Sequence, residues 1–295
     1  MIITSRGSAI EVLCPAKVNL YLEVKGKRPD GYHELETLMQ TVSIYDRLAL
    51  EPADAGTEIA CSEPGIPCGP ENTVWRAADV VRRETGCTAG VRAFIEKHVP
   101  AGGGLGGGSS DAAGMIAGLN LLWKLGLSPT RMQEIGGRVG SDVAFFLAGA
   151  TAVCRGRGEL VTVTDGPQAP LHMVILYPGF PVSTRQIFEC LKLDLTERSD
   201  NDNICRLTNE LRTGCVESVV PRLFNRLERT TLTARPELNS VKQLMAREGL
   251  LGVTMTGSGS CFFGLCERKE VASEKARNLT ASGVGLAIAC ETTRE

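Results

Sequence analysis

Histidine and aromatic residues are scarce in this chain of 295 residues: three histidines (His33, His98, His172), two tryptophans, and 5% Phe, Trp and Tyr together. Eleven cysteines are present, but no two form a CxxC pair. With so few imidazoles and no paired thiols, the sequence lacks the usual ligand spacing of a structural zinc site. Excess charge is also missing, since 32 basic residues face 34 acidic ones for a net charge of -2. Without a dense Lys/Arg run, the chain lacks the electrostatic footprint of a nucleic-acid binder. Long apolar runs are missing too. The longest uncharged stretches run from Gly166 to Thr184, broken by four prolines, and from Gly249 to Cys266, half of it Gly, Ser and Thr. Neither fits a membrane span, and the first fourteen residues hold no apolar run of signal-peptide length. The odd cysteine count fits reduced thiols of a cytoplasmic protein, mostly buried as small hydrophobes. Glycine is plentiful by contrast. There are 33 glycines, about 11% against a usual share of about 7%, and six of them lie between Gly102 and Gly108.

No repeat or other low-complexity segment interrupts the chain. From Val18 to Val24 apolar residues alternate with Asn19, Tyr21 and Glu23, the period of a half-buried strand, which puts Lys17 and Asn19 on its non-core face. Pro29-Asp30-Gly31 is a turn, with Tyr32 and His33 on or just beyond it. Ser109-Ser110-Asp111 is expected to supply the N-cap and first-turn acid of a helix through Met115, Leu119 and Trp123. Thr151 to Val163 reads as two strands around Gly156 and Gly158.

Beyond Asp165 the order changes. Leu171 to Tyr177 reads as a strand, and Thr184 to Leu193, Val216 to Arg229 and Pro236 to Arg247 as helices. Gly252 to Thr256 and Cys261 to Cys266 are strands, Arg268 to Leu279 is a helix, and Val284 to Cys290 is a last strand. Without the extra helices this is β-α-β-β-α-β, the ferredoxin-like arrangement. The expected class is α+β in two domains, residues 1–166 and 167–295, divided in the Pro/Gly-bearing stretch from Gly166 to Pro170.

A run of glycines ahead of a helix leaves backbone N–H groups uncovered where the helix dipole favours negative charge, so phosphate is its natural occupant. A tight connection or flexible linker is the alternative. A Walker A loop is excluded because no lysine follows the glycines. Gly102, Gly104 and Gly107 fit GxGxxG, but no Asp or Glu occurs between Asp111 and Glu134 to take a dinucleotide's ribose. Protein-kinase HRD and DFG sequences are absent.

PAGGGLGGGSSDAA (Pro100 to Ala113) closely resembles the phosphate-binding motif of the GHMP kinases, small-molecule kinases named for galactose, homoserine, mevalonate and phosphomevalonate. Two further signatures of that family stand in the right order, PAKVNLYL (Pro15 to Leu22) and TGSGSCFFG (Thr256 to Gly264). PAKVNLYLEVKGKRPDGYHEL (Pro15 to Leu35), ENTVWRAA (Glu71 to Ala78), GSDVAFFLAGATAVCRGRGE (Gly140 to Glu159) and YPGFPVSTRQIF (Tyr177 to Phe188) extend the resemblance along nearly the whole chain, toward the members with a cytidyl substrate.

The resemblance implies the two-domain fold of that family, with the glycine loop in an N-terminal βα domain and a ferredoxin-like domain after it. It implies ATP and Mg²⁺ as cofactors and phosphorylation of the 2-hydroxyl of a diphosphocytidyl alcohol, by a monomer or weak homodimer. An uncytidylated alcohol is the alternative substrate, and a non-catalytic nucleotide-binding protein the reading from another class.

By the same resemblance, Asp142 is the base or orienting carboxylate and Lys17 its cationic partner at the acceptor hydroxyl. Pro100, Ala101, Gly102, Gly103, Gly104, Leu105, Gly106, Gly107, Gly108, Ser109 and Ser110 cradle ATP, with Asn72 and Lys97 near its adenine and phosphates. Ser109 or Ser110 is the candidate for reaching Mg²⁺. Asn19, Tyr32, His33, Thr184, Phe188, Gly257, Ser258 and Gly259 are the substrate contacts, with the base gripped by Tyr32 and His33 and stacked on Phe188. Each residue has a plainer alternative: a first-turn acid for Asp142, solvated lysines for Lys17 and Lys97, helix caps for the serines, half-exposed packing for Tyr32-His33 and a simple hairpin turn for Gly257 to Gly259. Two residues depart from the family pattern. Ala144 stands where proline is usual, beside Asp142, and Arg226 stands where an acidic residue is common.

Overall fold

The computed structural model describes residues 1–192 and 203–294. The first half builds one large sheet from β1 (Ile2–Arg6), β2 (Ala9–Lys27), β3 (His33–Ala53), β4 (Thr57–Cys61), β5 (Gly90–Glu96), β6 (Thr151–Gly156) and β7 (Leu160–Val163). Its spine runs β1-β2-β3-β5-β4, antiparallel except for the β4/β5 pair. Long β3 pairs with β6 through its first part and with β5 through its last. Helices α1 (Thr73–Thr85), α2 (Gly107–Leu122), α3 (Pro129–Val139) and α4 (Ser141–Ala148) cover one face. Val12, Leu48, Leu50, Ile95, Ile116 and Phe145 meet in the core beneath them.

The second half contributes β8 (His172–Tyr177), α5 (Thr184–Cys190), α6 (Asn203–Thr213), α7 (Val216–Val219), β9 (Phe224–Asn225), α8 (Arg226–Ala234) and α9 (Leu238–Arg247). It ends with β10 (Leu251–Met255), β11 (Phe262–Cys266), α10 (Lys269–Ala281) and β12 (Leu286–Glu291). Its four-stranded antiparallel sheet has the order β10-β11-β8-β12, the ferredoxin-like order expected from the sequence. The two sheets share a core in which Val18, Leu20, Val42 and Leu105 pack with Met173, Ile175, Phe263 and Leu265. The short β9 pairs in parallel with β2, so the second half also adds a strand to the first sheet.

That shared core corrects the expectation for β2. Lys17, Asn19 and Glu23 are 3%, 1% and 2% exposed, so the strand is buried on both faces, although its alternating pattern reads as half-buried. The second sheet packs on the face of Val18 and Leu20, and the polar side is covered by the glycine loop, the first turn of α4, the turn after β10 and the start of α8. The segment from Val216 to Arg229 is not one helix either: α7 gives way to a 3₁₀ turn and then to β9. Pro221 lacks the N–H that a continuing helix needs. Of the cysteines, five are buried and four exposed, so they are not mostly buried, and all are free thiols. Helix α5 ends at Cys190; Leu193, its expected end, lies outside the described residues. Among the described residues, no helix is long and apolar enough to cross a membrane.

Helix α2 approaches the sheet through glycines one turn apart. A Cβ at Gly118 would stand 2.3 Å from Leu50 Cδ1, and one at Gly114 would stand 2.5 Å from Cys14 Sγ. Larger side chains there must push the helix off β2 and β3, taking the phosphate loop with it. Gly118→Val is therefore expected to destabilise the protein by about 1–3 kcal/mol, read as a lower urea midpoint at unchanged slope. Gly137, in the interior of α3 with open space around it, is the control. Gly137→Ala is expected to stabilise by up to about 1 kcal/mol, and equal effects at the two positions would refute the packing explanation.

Candidate active site

The glycine loop connects β5 to α2, and its carbonyls are tied down by protein donors. Gly102 O accepts from Val182 N (3.3 Å), Gly103 O from Cys261 N (3.1 Å), and Leu105 O from Lys17 N (2.9 Å). Gly104 O accepts from Thr256 Oγ1 (3.3 Å). Among the described residues, nothing accepts a hydrogen bond from the N–H groups of Gly102 to Gly106. The loop thus turns its acceptors inward and leaves its donors free, and the first N–H groups of α2 extend the row. Gly102, Gly104 and Gly106 alternate at φ 70°, 82° and 73°, a backbone form that makes an anion-binding concavity. A Cβ at Gly104 would come 2.2 Å from Thr256 O, so the close approach also demands glycine there.

The helix starts earlier than the sequence suggests. Gly106 is the N-cap, without a side-chain hydrogen bond, and Ser109, Ser110 and Asp111 lie inside the helix rather than capping it. A left-handed glycine ends the loop directly on α2, so no serine cap is needed. Ser110 is fully buried, and its hydroxyl has no partner within the protein.

Beside the loop, register shifts between Pro15 and Ala16 and between Asn19 and Tyr21 bracket Lys17 and Asn19 on β2. Such bulges re-aim side chains next to functional sites. Lys17 Nζ donates to Asn19 Oδ1 at 2.6 Å and lies 3.8 Å from Asp142 Oδ2 in the first turn of α4. Burial pulls the Lys17 pKa below that of an ordinary lysine, while Asp142 opposes the shift. Asn19 Oδ1 also accepts from Gly257 N (2.9 Å), and Asn19 Nδ2 donates to Thr37 Oγ1 (2.8 Å). Ala144 is buried in α4 behind Asp142.

His33 and Phe188 stack with ring centroids 5.0 Å apart and planes 29° apart. Burial, aided by the charge of Lys27, lowers the His33 pKa, so the imidazole is neutral at pH 7 and offers one donor and one acceptor. Tyr32 is exposed beneath the Arg157 guanidinium, 4.9 Å from its ring centre. Thr184 Oγ1 meets Ser258 Oγ at 2.7 Å.

Lys17, Asn19, Asp142, Tyr32, His33, Phe188, Thr184, Ser258 and most of the glycine loop border one continuous cleft of about 1230 Å³. Of the site residues expected from the sequence, all line it except Gly103, Ser110 and Gly259. Gly103 is held against Cys261 and Gly259 against Met255, each too close for a Cβ. Asn72 lines the cleft but caps α1, accepting from Val74 N (2.8 Å) and donating to Pro67 O (2.6 Å). Lys97 meets two buried carboxylates, Asp46 and Asp111. Burial opposes the Lys97 charge, but the two carboxylates outweigh it and raise its pKa; burial also pushes the Asp111 carboxyl up to about 7.

Sequence reasoning missed Asn225, whose Nδ2 donates to Met255 O (2.7 Å) and Gly257 O (2.8 Å) and so holds the β10–β11 turn. It stands next to the unusual Arg226, which was the available signal. Arg157 was also missed, although it stands in the quoted glycine-bounded turn between β6 and β7. No set of three or more His, Cys, Asp or Glu side chains among the described residues is arranged to hold a metal.

Comparison with known proteins gives the same outline. A model described as GHMP kinases N terminal domain matches residues 72–150, and one described as GHMP kinases C terminal matches residues 193–285. A Geobacter metallireducens protein named 4-diphosphocytidyl-2-C-methyl-D-erythritol kinase is 38% identical over 95% of this chain and 98% of its own length. A crystal structure of 4-(cytidine 5'-diphospho)-2C-methyl-D-erythritol kinase superposes with a TM-score of 0.83 at 36% identity, covering 97% of this chain and 100% of that one. A homoserine kinase structure from Cytophaga hutchinsonii, 20% identical, shares the fold at a TM-score of 0.78 over 100% of this chain and 97% of that one. With both parts of the family's domain pair matched, and with similarity running along nearly its whole length, the chain belongs to the GHMP kinases.

Proposed function

We propose that this chain transfers the terminal phosphoryl group of ATP to the 2-hydroxyl of 4-diphosphocytidyl-2-C-methyl-D-erythritol. The reaction gives the 2-phosphate and ADP, in the cytoplasm, as a step of non-mevalonate isoprenoid precursor synthesis. The observation that carries this reading is the position of the buried Lys17 beside the half-buried Asp142, in one cleft with the bare N–H loop and the His33–Phe188 stack. On this reading residues 1–166 form the nucleotide half and 167–295 the ferredoxin-like half.

The triphosphate lies along the free N–H groups of the loop, at the N-terminus of α2. The cytosine enters the recess of Tyr32, His33 and Phe188, where a neutral imidazole has both a donor and an acceptor for its edge. Thr184, Ser258 and the Gly257 turn face the linker between base and alcohol. The acceptor hydroxyl then sits against Asp142, which takes its proton as the oxygen bonds to the terminal phosphorus. The bond from that phosphorus to the bridging oxygen breaks, and ADP carries the electron pair away. Lys17 keeps a positive charge beside the oxygen that loses its proton.

The donor set fits Mg²⁺ only as an ion held mainly by ATP phosphates and water. Ser109, on the cleft wall, is the hydroxyl able to join it, and Ser110 offers an unpartnered one behind the loop. The ion would neutralise phosphate charge.

Asp142→Asn is expected to lower kcat by about 10²–10⁴ in a protein that still folds and melts cooperatively, read in a coupled ADP-release assay beside a thermal melt. Wild-type turnover in that variant would remove Asp142 from the chemistry. In the wild type, kcat should fall on the alkaline side as Lys17 loses its proton, at a pH below the ordinary lysine value of about 10.4, and Lys17→Met should lack that limb.

His33→Ala and Phe188→Ala test the base recess. Each is expected to raise KM for the cytidyl substrate by about tenfold or more, a base stacked on an aromatic ring being worth about 1–3 kcal/mol. The KM for ATP should stay the same. Turnover of mevalonate or homoserine in place of the cytidyl substrate would refute the substrate assignment and leave the kinase reading intact.

A further inference from the structure

We propose that Lys97 is a positioning residue that clamps the phosphate loop and its helix to the sheet, and is not a ligand of the nucleotide. The inference rests on the reading of the loop as the ATP-phosphate site.

Lys97 follows β5, and its ammonium lies between Asp46 of β3 and Asp111 of α2, the latter at 2.8 Å. The Lys97 side chain is 8% exposed and the two carboxylates 0% and 3%, so the pairing is shielded from solvent. Asp46 is fixed independently, since its Oδ1 accepts from His98 N (2.6 Å) and Val99 N (2.8 Å). The ammonium therefore joins a carboxylate locked to the turn before the loop with one on the helix after it.

Gly107, the first residue of α2, lies directly over this clamp. A Cβ there would stand 3.2 Å from both Asp46 Oδ2 and Lys97 Nζ. Val99 Cγ1 would be nearer still, at 3.0 Å, so crowding by Val99 and the ions underneath favours glycine here, where φ is not positive.

Charge points the same way. One ammonium against two carboxylates leaves the cluster with no net positive charge to offer an arriving triphosphate. The loop's attraction comes from its N–H groups and the helix end, and the clamp fixes where those groups point.

Lys97→Met leaves two buried carboxylates facing each other, and it is expected to lower the melting temperature and raise KM for ATP at least tenfold. Lys97→Met combined with Asp111→Asn keeps the same net charge, with Asp46 still held by two N–H groups. Melting temperature and KM for ATP are both expected to move back toward wild type, with at least a tenfold recovery in KM. A double variant that regains its melting temperature but keeps the KM of the single variant would overturn the proposal.

Amine acetylation of the wild-type protein, read by peptide mass spectrometry, decides the matter if the variants do not fold. Lys97 should resist the reagent with and without ATP. Labelling in the free protein and protection by ATP would make it a ligand. If the wild type shows no turnover at all, the kinase reading fails, while the labelling and melting results still judge the clamp.

Discussion

Everything at the centre of this protein depends on keeping one ammonium, that of Lys17, in the interior. A charge removed from water survives only with partners, and its removal costs several kcal/mol after relaxation. Asn19 Oδ1 at 2.6 Å and Asp142 at 3.8 Å are those partners. Asn19 is itself oriented by the second half of the chain, through Gly257 N to its Oδ1 and its own N–H to Thr256 Oγ1 at 3.1 Å. The Lys17 site is therefore complete only when the ferredoxin-like sheet has docked on β2. This ties the packing between the halves to the chemistry they enclose.

The glycine loop obeys the same constraint from the opposite side. Lys17 donates its backbone N–H to Leu105 O, so the residue that supplies the charge also anchors the loop. Val182, Thr256 and Cys261 bind the remaining carbonyls from the second half. Peptide groups with occupied acceptors and free donors form an anion site without any cationic side chain. That explains how a phosphate cradle can operate while Lys97, beside the loop, is committed to two carboxylates.

The parts legible in the sequence are those whose chemistry is local. The glycine run, the Asp142 helix start, the turn before Tyr32 and the order of elements in the second half could all be read from short windows. Burial of the polar face of β2 could not, because alternation reports the face turned to the core and carries nothing about the loop, turn and helix ends that close over the other side. The start of α2 was misplaced because Ser109 and Ser110 have the chemistry of caps, whereas a left-handed Gly106 does the work through backbone shape. Asp46, Lys97 and Asp111 come from β3, the residue after β5 and α2, and no short window contains all three. Asn225 escaped for a related reason: its two acceptors, Met255 O and Gly257 O, lie some thirty residues away on the β10–β11 turn.

The unusual Arg226 shows how a departure in a motif can leave the site untouched. Its guanidinium forms a bidentate pair with buried Glu23, Nε to Oε1 at 2.7 Å and Nη2 to Oε2 at 3.0 Å, and lies 4.9 Å from the ring centre of Phe224. Glu23 is on β2, so the replacement changes how the start of α8 is fastened to that strand. The neighbours on either side make the connections that matter for the turn at Gly257. Asn225 holds two of its carbonyls, and Glu228 accepts from Met255 N at 2.9 Å. An acid at position 226 would face the Glu23 carboxylate with like charge, whereas arginine satisfies it with planar donors. Arg226 and Glu23 therefore fasten α8 to β2, while the contact between α8 and the substrate-side turn runs separately through Asn225 and Glu228.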